Sequence, residues 1–133
     1  MKYTINCDGG SRGNPGPAAS GYIIKDETGK IVFQAGKYIG ETTNNQAEYQ
    51  AVVLAMEKAS ELGLSDLKFN LDSELVVRQL KGEYKVKNPD LAVQFLKIWN
   101  LQNKFNSVSY RHVYREQNVE ADALVNKALD ERK

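Results

Sequence analysis

The chain has 133 residues, of which 41% are hydrophobic, 26% charged and 9% aromatic, and its formal net charge is +1. That length buries a sizeable core without staples, and the near-neutral charge excludes a global field able to hold a polyanion. No apolar run approaches a membrane span, no signal-peptide pattern precedes Lys2, and the lone Cys7 leaves no internal disulfide. The expectation is one domain over residues 1–133, cytoplasmic, with no membrane partner.

Residues 2–8 alternate, with Tyr3, Ile5 and Cys7 on one face and Lys2, Thr4, Asn6 and Asp8 on the other, as a strand does. The loop GGSRGNPGP follows, with more glycine than a reversal needs, so something has to approach its backbone closely. AASGYIIKD and IVFQAGKYIG read as two further strands joined by the turn DETGK, which gives an antiparallel meander. TTNNQAEYQAVVLAMEKASELG reads as a long helix. Its apolar stripe is Ala47, Ala51, Leu54, Ala55 and Leu62, Thr43 and Gln46 form a capping box, and Gly63 ends it.

LKFNLDS is a fourth strand and SELVVRQLKG a short helix. KNPDLAVQFLKIWNLQNKF opens on the cap Asn88 and Pro89, which makes it a second amphipathic helix, with Trp99 expected in the core. SVSYRHV is a fifth strand, its His112 partly buried, and NVEADALVNKALDERK a terminal helix. The order β-β-β-α-β-α-α-β-α is that of an α/β fold: a five-stranded mixed sheet with helices on both faces.

The first and fourth strands share a parity, and each ends on an aspartate of its polar side. As parallel neighbours they would set Asp8 and Asp72 side by side at the carboxyl edge, where open α/β sheets bind ligands. Glu48 and Asp122 fall in the first turns of two helices. Singly, such acids complement a helix dipole. Clustered, four carboxylates repel unless a cation joins them. Without histidine at ligand spacing they suit a hard ion such as Mg²⁺ or Mn²⁺, beside exposed amides that would welcome a phosphate ester.

DGGSRGNPGPAASGY, TNNQAEYQA, LDSELV and REQNVEADALVNKAL, in that order and each carrying its acid, resemble the type 1 ribonuclease H family over nearly the whole chain. The resemblance implies the ribonuclease H-like sheet already drawn. It further implies that Asp8, Glu48, Asp72 and Asp122 hold two Mg²⁺ ions, with Mn²⁺ as a substitute. The activity implied is endonucleolytic hydrolysis of the RNA strand of RNA–DNA hybrids, leaving 3′-hydroxyl and 5′-phosphate ends. In this family Asp8 would bridge both ions and Asp122 would make the loosest contact.

The resemblance also implies substrate contacts. Gly10 and Gly13 let a sugar approach the backbone, and Ser11, Asn14, Asn44 and Asn45 touch the RNA strand, whose 2′-hydroxyl separates it from DNA. For Asn44 and Asn45, helix capping is the other role open. Thr43 and Asn88 match positions that grip a DNA-strand phosphate, and Ser73 matches a contact in the DNA channel.

Two departures mark the chain as similar to handle-less relatives of archaeal type. Arg115 stands where many members carry a histidine; an arginine cannot shuttle protons. It serves either substrate phosphate or as a counter-charge to the acids. KGEYKVKNPD is too brief to contain the basic handle of other members, and Arg78, Lys81, Lys85 and Lys87 are either a reduced substitute or solvated surface. Fewer phosphate contacts imply modest affinity and leave room for cleavage of double-stranded RNA. Three other readings are a non-catalytic nucleic-acid binding module, a reverse-transcriptase fragment and a DNA-directed nuclease. The intact quartet, the start at Met1 and the 2′-hydroxyl-reading asparagines speak against them in turn. A monomer is expected. The DERK tail either frays or latches onto the sheet.

Overall fold

The computed structural model describes residues 1–132. Three strands, β1 (Lys2–Ser11), β2 (Gly16–Lys25) and β3 (Ile31–Thr42), lead into α1 (Asn44–Glu61). After them come β4 (Asp66–Leu71), α2 (Glu74–Leu80), α3 (Pro89–Gln102), β5 (Ser107–His112), a 3₁₀ turn at Arg115–Gln117 and α4 (Val119–Asp130). The strands lie in the order β3-β2-β1-β4-β5, antiparallel from β3 to β1 and parallel from β1 to β5. This is the expected mixed sheet. No helix among the described residues is long and apolar enough to cross a membrane.

Alternation assigns the two faces. Ile5 and Cys7 of β1 join Leu67, Phe69 and Leu71 of β4 in the main core, under the buried α1 residues Tyr49, Val52 and Met56. On the opposite face α4 lies directly over Gly21 and Gly36, where an added methyl would meet its Ala121 and Leu124 backbone. There Ala19, Val125 and Leu129 form a smaller cluster.

Four expectations need correction. β1 does not stop at Asp8: pairing with β4 ends at Cys7, but pairing with β2 continues through Ser11, so Gly9 and Gly10 are strand residues. The buried face of α1 is broader than the alanine stripe, and Leu62 is its exposed C-cap. Thr43 accepts the Gln46 N–H at 3.2 Å, which is half of the capping box. Gly63, at φ +75°, follows as the stop.

Trp99 is not core. It is 54% exposed, beside exposed Val93 and Leu96. α3 buries only the stripe of Leu91 and Ile98, and one residue further on the helix has turned about 100°. Trp99 therefore points outward and stacks on Phe95, one turn back, at 6.3 Å. His112 is half-buried, as expected.

Candidate active site

Parity and topology deliver the first two acids. Cys7 and Leu71 are the last registered pair between β1 and β4, so Asp8 and Asp72 are the next residue of each. Glu48 arrives from α1 because Gly9 lets that helix touch the sheet: a methyl at Gly9 would sit 2.2 Å from the Ala47 carbonyl carbon and 2.4 Å from the Glu48 nitrogen. Ser20 Oγ adds a tether by donating to the Ala47 carbonyl at 2.7 Å. Carboxylate oxygens of Asp8, Glu48 and Asp72 come within 4.8 Å of one another. Asp122 stands outside that group yet lines the same cleft, of about 410 Å³.

The electrostatics are those of anions without a counter-ion. Asp8 is 6% exposed and Glu48 7%. Burial first, then the charges of Asp72 and Asp122, push Asp8 up to about 8, while the Gly9 amide opposes the rise. Glu48 is raised well above the ordinary carboxylate range by burial, then by Asp8 and Asp72. Its Oε2 is buried with no hydrogen-bond partner. Among the described residues no ion pair reaches any of the four acids. An all-oxygen donor set with an orphaned buried oxygen fits a hard divalent ion.

The glycine-rich turn is braced by the residues expected to contact substrate. Ser11 donates to Asn44 Oδ1 from its backbone N–H at 2.8 Å and from its hydroxyl at 3.2 Å. The Asn44 N–H donates to Asn14 Oδ1 at 2.9 Å. Thr43, not Asn44 or Asn45, is the helix cap. Gly10, Ser11, Asn44, Asn45, Ser73 and Arg115 line the cleft with the acids. Gly13, Asn14, Thr43 and Asn88 do not line it. Asn88 caps α3, accepting the Asp90 and Leu91 N–H groups. Arg115 is exposed and forms no ion pair within 4.0 Å with the quartet, although it lines the same cleft. Of the basic segment, Arg78 pairs with Glu74 and Glu83, and Lys81 approaches Glu83 at 3.9 Å, while Lys85 and Lys87 form no ion pair among the described residues.

Sequence reasoning missed three supporting residues. Asn118 is buried and donates from Nδ2 to the Cys7 carbonyl at 2.8 Å, while its own carbonyl accepts the Asp122 N–H at 3.1 Å. It thereby fixes Asp122 against β1. Asn126 donates to the Asp122 carboxylate at 3.3 Å, a pairing signalled by its i+4 spacing. Arg12 also lines the cleft, paired with Asp130. Within DERK, Arg132 donates to the Leu129 carbonyl, which turns it back onto its own helix, and Lys133 lies outside the described residues.

An acidic triad with a fourth acid nearby, on a β3-β2-β1-β4-β5 sheet, defines a carboxylate-centred nuclease-like site. The family model "Reverse transcriptase-like" matches residues 6–128. The crystal structure of RNase H1 from Halobacterium salinarum superposes with a TM-score of 0.96 at 42% identity, covering 99% of this chain and 100% of that one. LC11-RNase H1, solved in complex with an RNA/DNA hybrid, gives 0.92 at 45% identity, with 96% of each chain covered. The chain belongs to the reverse transcriptase-like family, as a member of its type 1 ribonuclease H group. It is also 45% identical to the Halobacterium salinarum protein named ribonuclease HI over 93% of its own length, but spans 62% of that protein. It spans 36% of a bifunctional Mycobacterium tuberculosis protein to which it is 39% identical.

Proposed function

We propose that the chain is an endoribonuclease that hydrolyses the RNA strand of RNA–DNA hybrids, leaving 3′-hydroxyl and 5′-phosphate ends. One observation carries this reading: Asp8, Glu48 and Asp72 converge within 4.8 Å, with a buried, partnerless oxygen on Glu48. The hybrid bound to the similar LC11-RNase H1 supports the choice of substrate.

In this reading Asp8, Glu48, Asp72 and Asp122 hold two Mg²⁺ ions, and Mn²⁺ takes their place when supplied. Such ions, when bound, supply positive charge to the scissile phosphate and acidify its attacking water. The protein's part is preorganisation. Asp8 and Asp72 are fixed by paired strands, Glu48 by the contact of α1 with Gly9, and Asp122 by the Asn118 tether. Asp72 and Asp122 are half-buried beside the buried Asp8 and Glu48, and Asp122, outside the close group of three, makes the loosest contact.

Substrate reading uses what the internal hydrogen bonds leave over. Asn14 and Asn44 spend their Oδ1 atoms on the turn, and no hydrogen bond among the described residues engages either Nδ2. Those amides, with Asn45 and Ser11, donate to 2′-hydroxyls beside Gly10 and Gly13. Thr43 and Asn88 likewise accept backbone N–H groups through oxygen, which frees an O–H and an Nδ2 for a DNA-strand phosphate. Ser73 contacts that strand and Arg115 a phosphate. The brief α2–α3 connection relaxes selectivity enough for slower cleavage of double-stranded RNA. The protein acts as a cytoplasmic monomer.

The test offers wild type and Asp72→Asn four duplexes of one sequence: hybrid, double-stranded RNA, double-stranded DNA, and DNA with one ribonucleotide. Each is incubated in Mg²⁺ and in Mn²⁺. Wild type is expected to cut the hybrid fastest, and the variant to be slower by on the order of 10³-fold. A wild type inert in both metals hands the site to the non-catalytic binding module.

A further inference from the structure

The cleft is walled by four acids, yet its guest is a polyanion. Two cationic side chains line it: Arg115, already assigned, and Arg12 in the β1–β2 turn. The backbone of Arg12 is held firmly. Its N–H donates to the Pro17 carbonyl at 2.8 Å, and the chain returns so tightly that a methyl on Gly16 would lie 2.3 Å from the Arg12 carbonyl oxygen. Its neighbour Ser11 is anchored to Asn44.

The side chain is held differently. Its Nη2 meets Asp130 Oδ1 at 2.7 Å, with the two side chains 43% and 65% exposed. An exposed pair of this kind is weak and screened by salt. A guanidinium on a phosphate makes stronger, charge-assisted, two-pronged contacts. Asp130 is the last residue of α4 and Asp122 lies in its first turn. At about 1.5 Å per residue the two are about 12 Å apart along the helix, so a phosphate near Asp130 is not the one being cut.

We infer that Arg12 grips a backbone phosphate of the strand lying along the glycine turn, and that Asp130 stands in for that phosphate in the free protein. The identity of the polyanion rests on the hybrid-cleavage reading. Arg12 is thus a binding residue, and Asp130 a positioning residue that competes with substrate for it.

The experiment measures hybrid binding by anisotropy in Ca²⁺ over a salt series, and steady-state cleavage in Mg²⁺, for wild type, Arg12→Ala, Arg12→Lys and Asp130→Asn. Arg12→Ala should raise Kd and KM about 10-fold, leave kcat within about twofold, and make the log–log salt slope shallower by about 1. Arg12→Lys should recover part of the loss. Asp130→Asn deletes the same ion pair but should tighten binding by about 2–5-fold, because it frees the guanidinium. Weakening in both Arg12→Ala and Asp130→Asn would make the pair merely structural and overturn the inference, as would an Arg12→Ala that binds like wild type. A wild type that binds hybrid without cutting it, with the opposed Kd shifts intact, sinks the cleavage reading and leaves this inference standing. A wild type that neither binds nor cuts sinks both.

Discussion

The carboxyl edge of β1 and β4 and the outer face of α3 each invert the usual distribution of polarity. At the edge Asp8 and Glu48 are buried; on α3, Val93, Leu96 and Trp99 are exposed. The inversions differ in what holds them. Around the acids three tethers converge, from Gly9 to α1, from Ser20 to the Ala47 carbonyl and from Asn118 to the Cys7 carbonyl. α3 shows nothing comparable: its outward residues are those left over when a narrow stripe is buried. Buried carboxyls maintained by dedicated contacts mark a site for chemistry, whereas exposed apolar residues on a helix are ordinary.

The largest expected effect breaks the edge at its closest approach. In Gly9→Ala the new methyl meets backbone of Ala47 and Glu48, which cannot swing aside like a flexible side chain. The loss should be about 3 kcal/mol or more, at or above the upper end for overpacking, and should lower Tm by roughly 10 °C or more. Thermal melts check it. A variant as stable as wild type would mean that α1 can withdraw from β1 freely, and that Glu48 is not positioned by this contact.

The two regions also differed in how legible they were. Period-2 parity in TINCD and KFNLD places Asp8 and Asp72 on the same face, and the mixed sheet then makes them neighbours. Glu48 and Asp122 were readable from their helix turns and flanking motifs. The tethers were not, because Ser20 and Asn118 act across 27 and 111 residues of chain. β1 running on to Ser11 depends on β2 lying beside it, which no local pattern in GGS reveals. Trp99 failed for another reason. Val93, Leu96 and Trp99 offer an apolar stripe beside that of Leu91 and Ile98, so the pattern did not specify which of the two would be buried. The basic segment was left open between two roles, and the one pair legible there was Glu74 with Arg78 at i,i+4 spacing.

A pH series sharpens the contrast at intermediate size. An aspartate in the unfolded chain titrates near ~3.9, whereas burial and its acidic neighbours hold Asp8 at about 8. The folded state therefore binds the proton more tightly. The stability this supplies is complete below about pH 4 and is lost as pH rises through about 8. In EDTA, Tm should fall by several degrees between pH 5.5 and 8, and the fall should flatten in Asp8→Asn. Excess Mg²⁺ should reverse it, by an amount that grows with pH as the ligands lose their protons. A Tm indifferent to both pH and Mg²⁺ would show that the acids are not coupled as their packing requires.

The smallest expected effect lies on α3, with an adjacent residue as yardstick. Ile98 is 2% exposed and belongs to the main core, so Ile98→Ala should cost about 3 kcal/mol through lost burial and the cavity left behind. Trp99→Ser removes a larger side chain, but one 54% exposed whose stacking partner is Phe95 on the same helix. Its cost should stay within about 1 kcal/mol, and hybrid cleavage should be unchanged because α3's outer face contributes nothing to the cleft. Denaturant melts give both numbers on one scale. Equal losses in the two variants would mean that Trp99 is covered in solution by something the packing of α3 on α1 does not supply. The outer face would then be held as deliberately as the acidic edge.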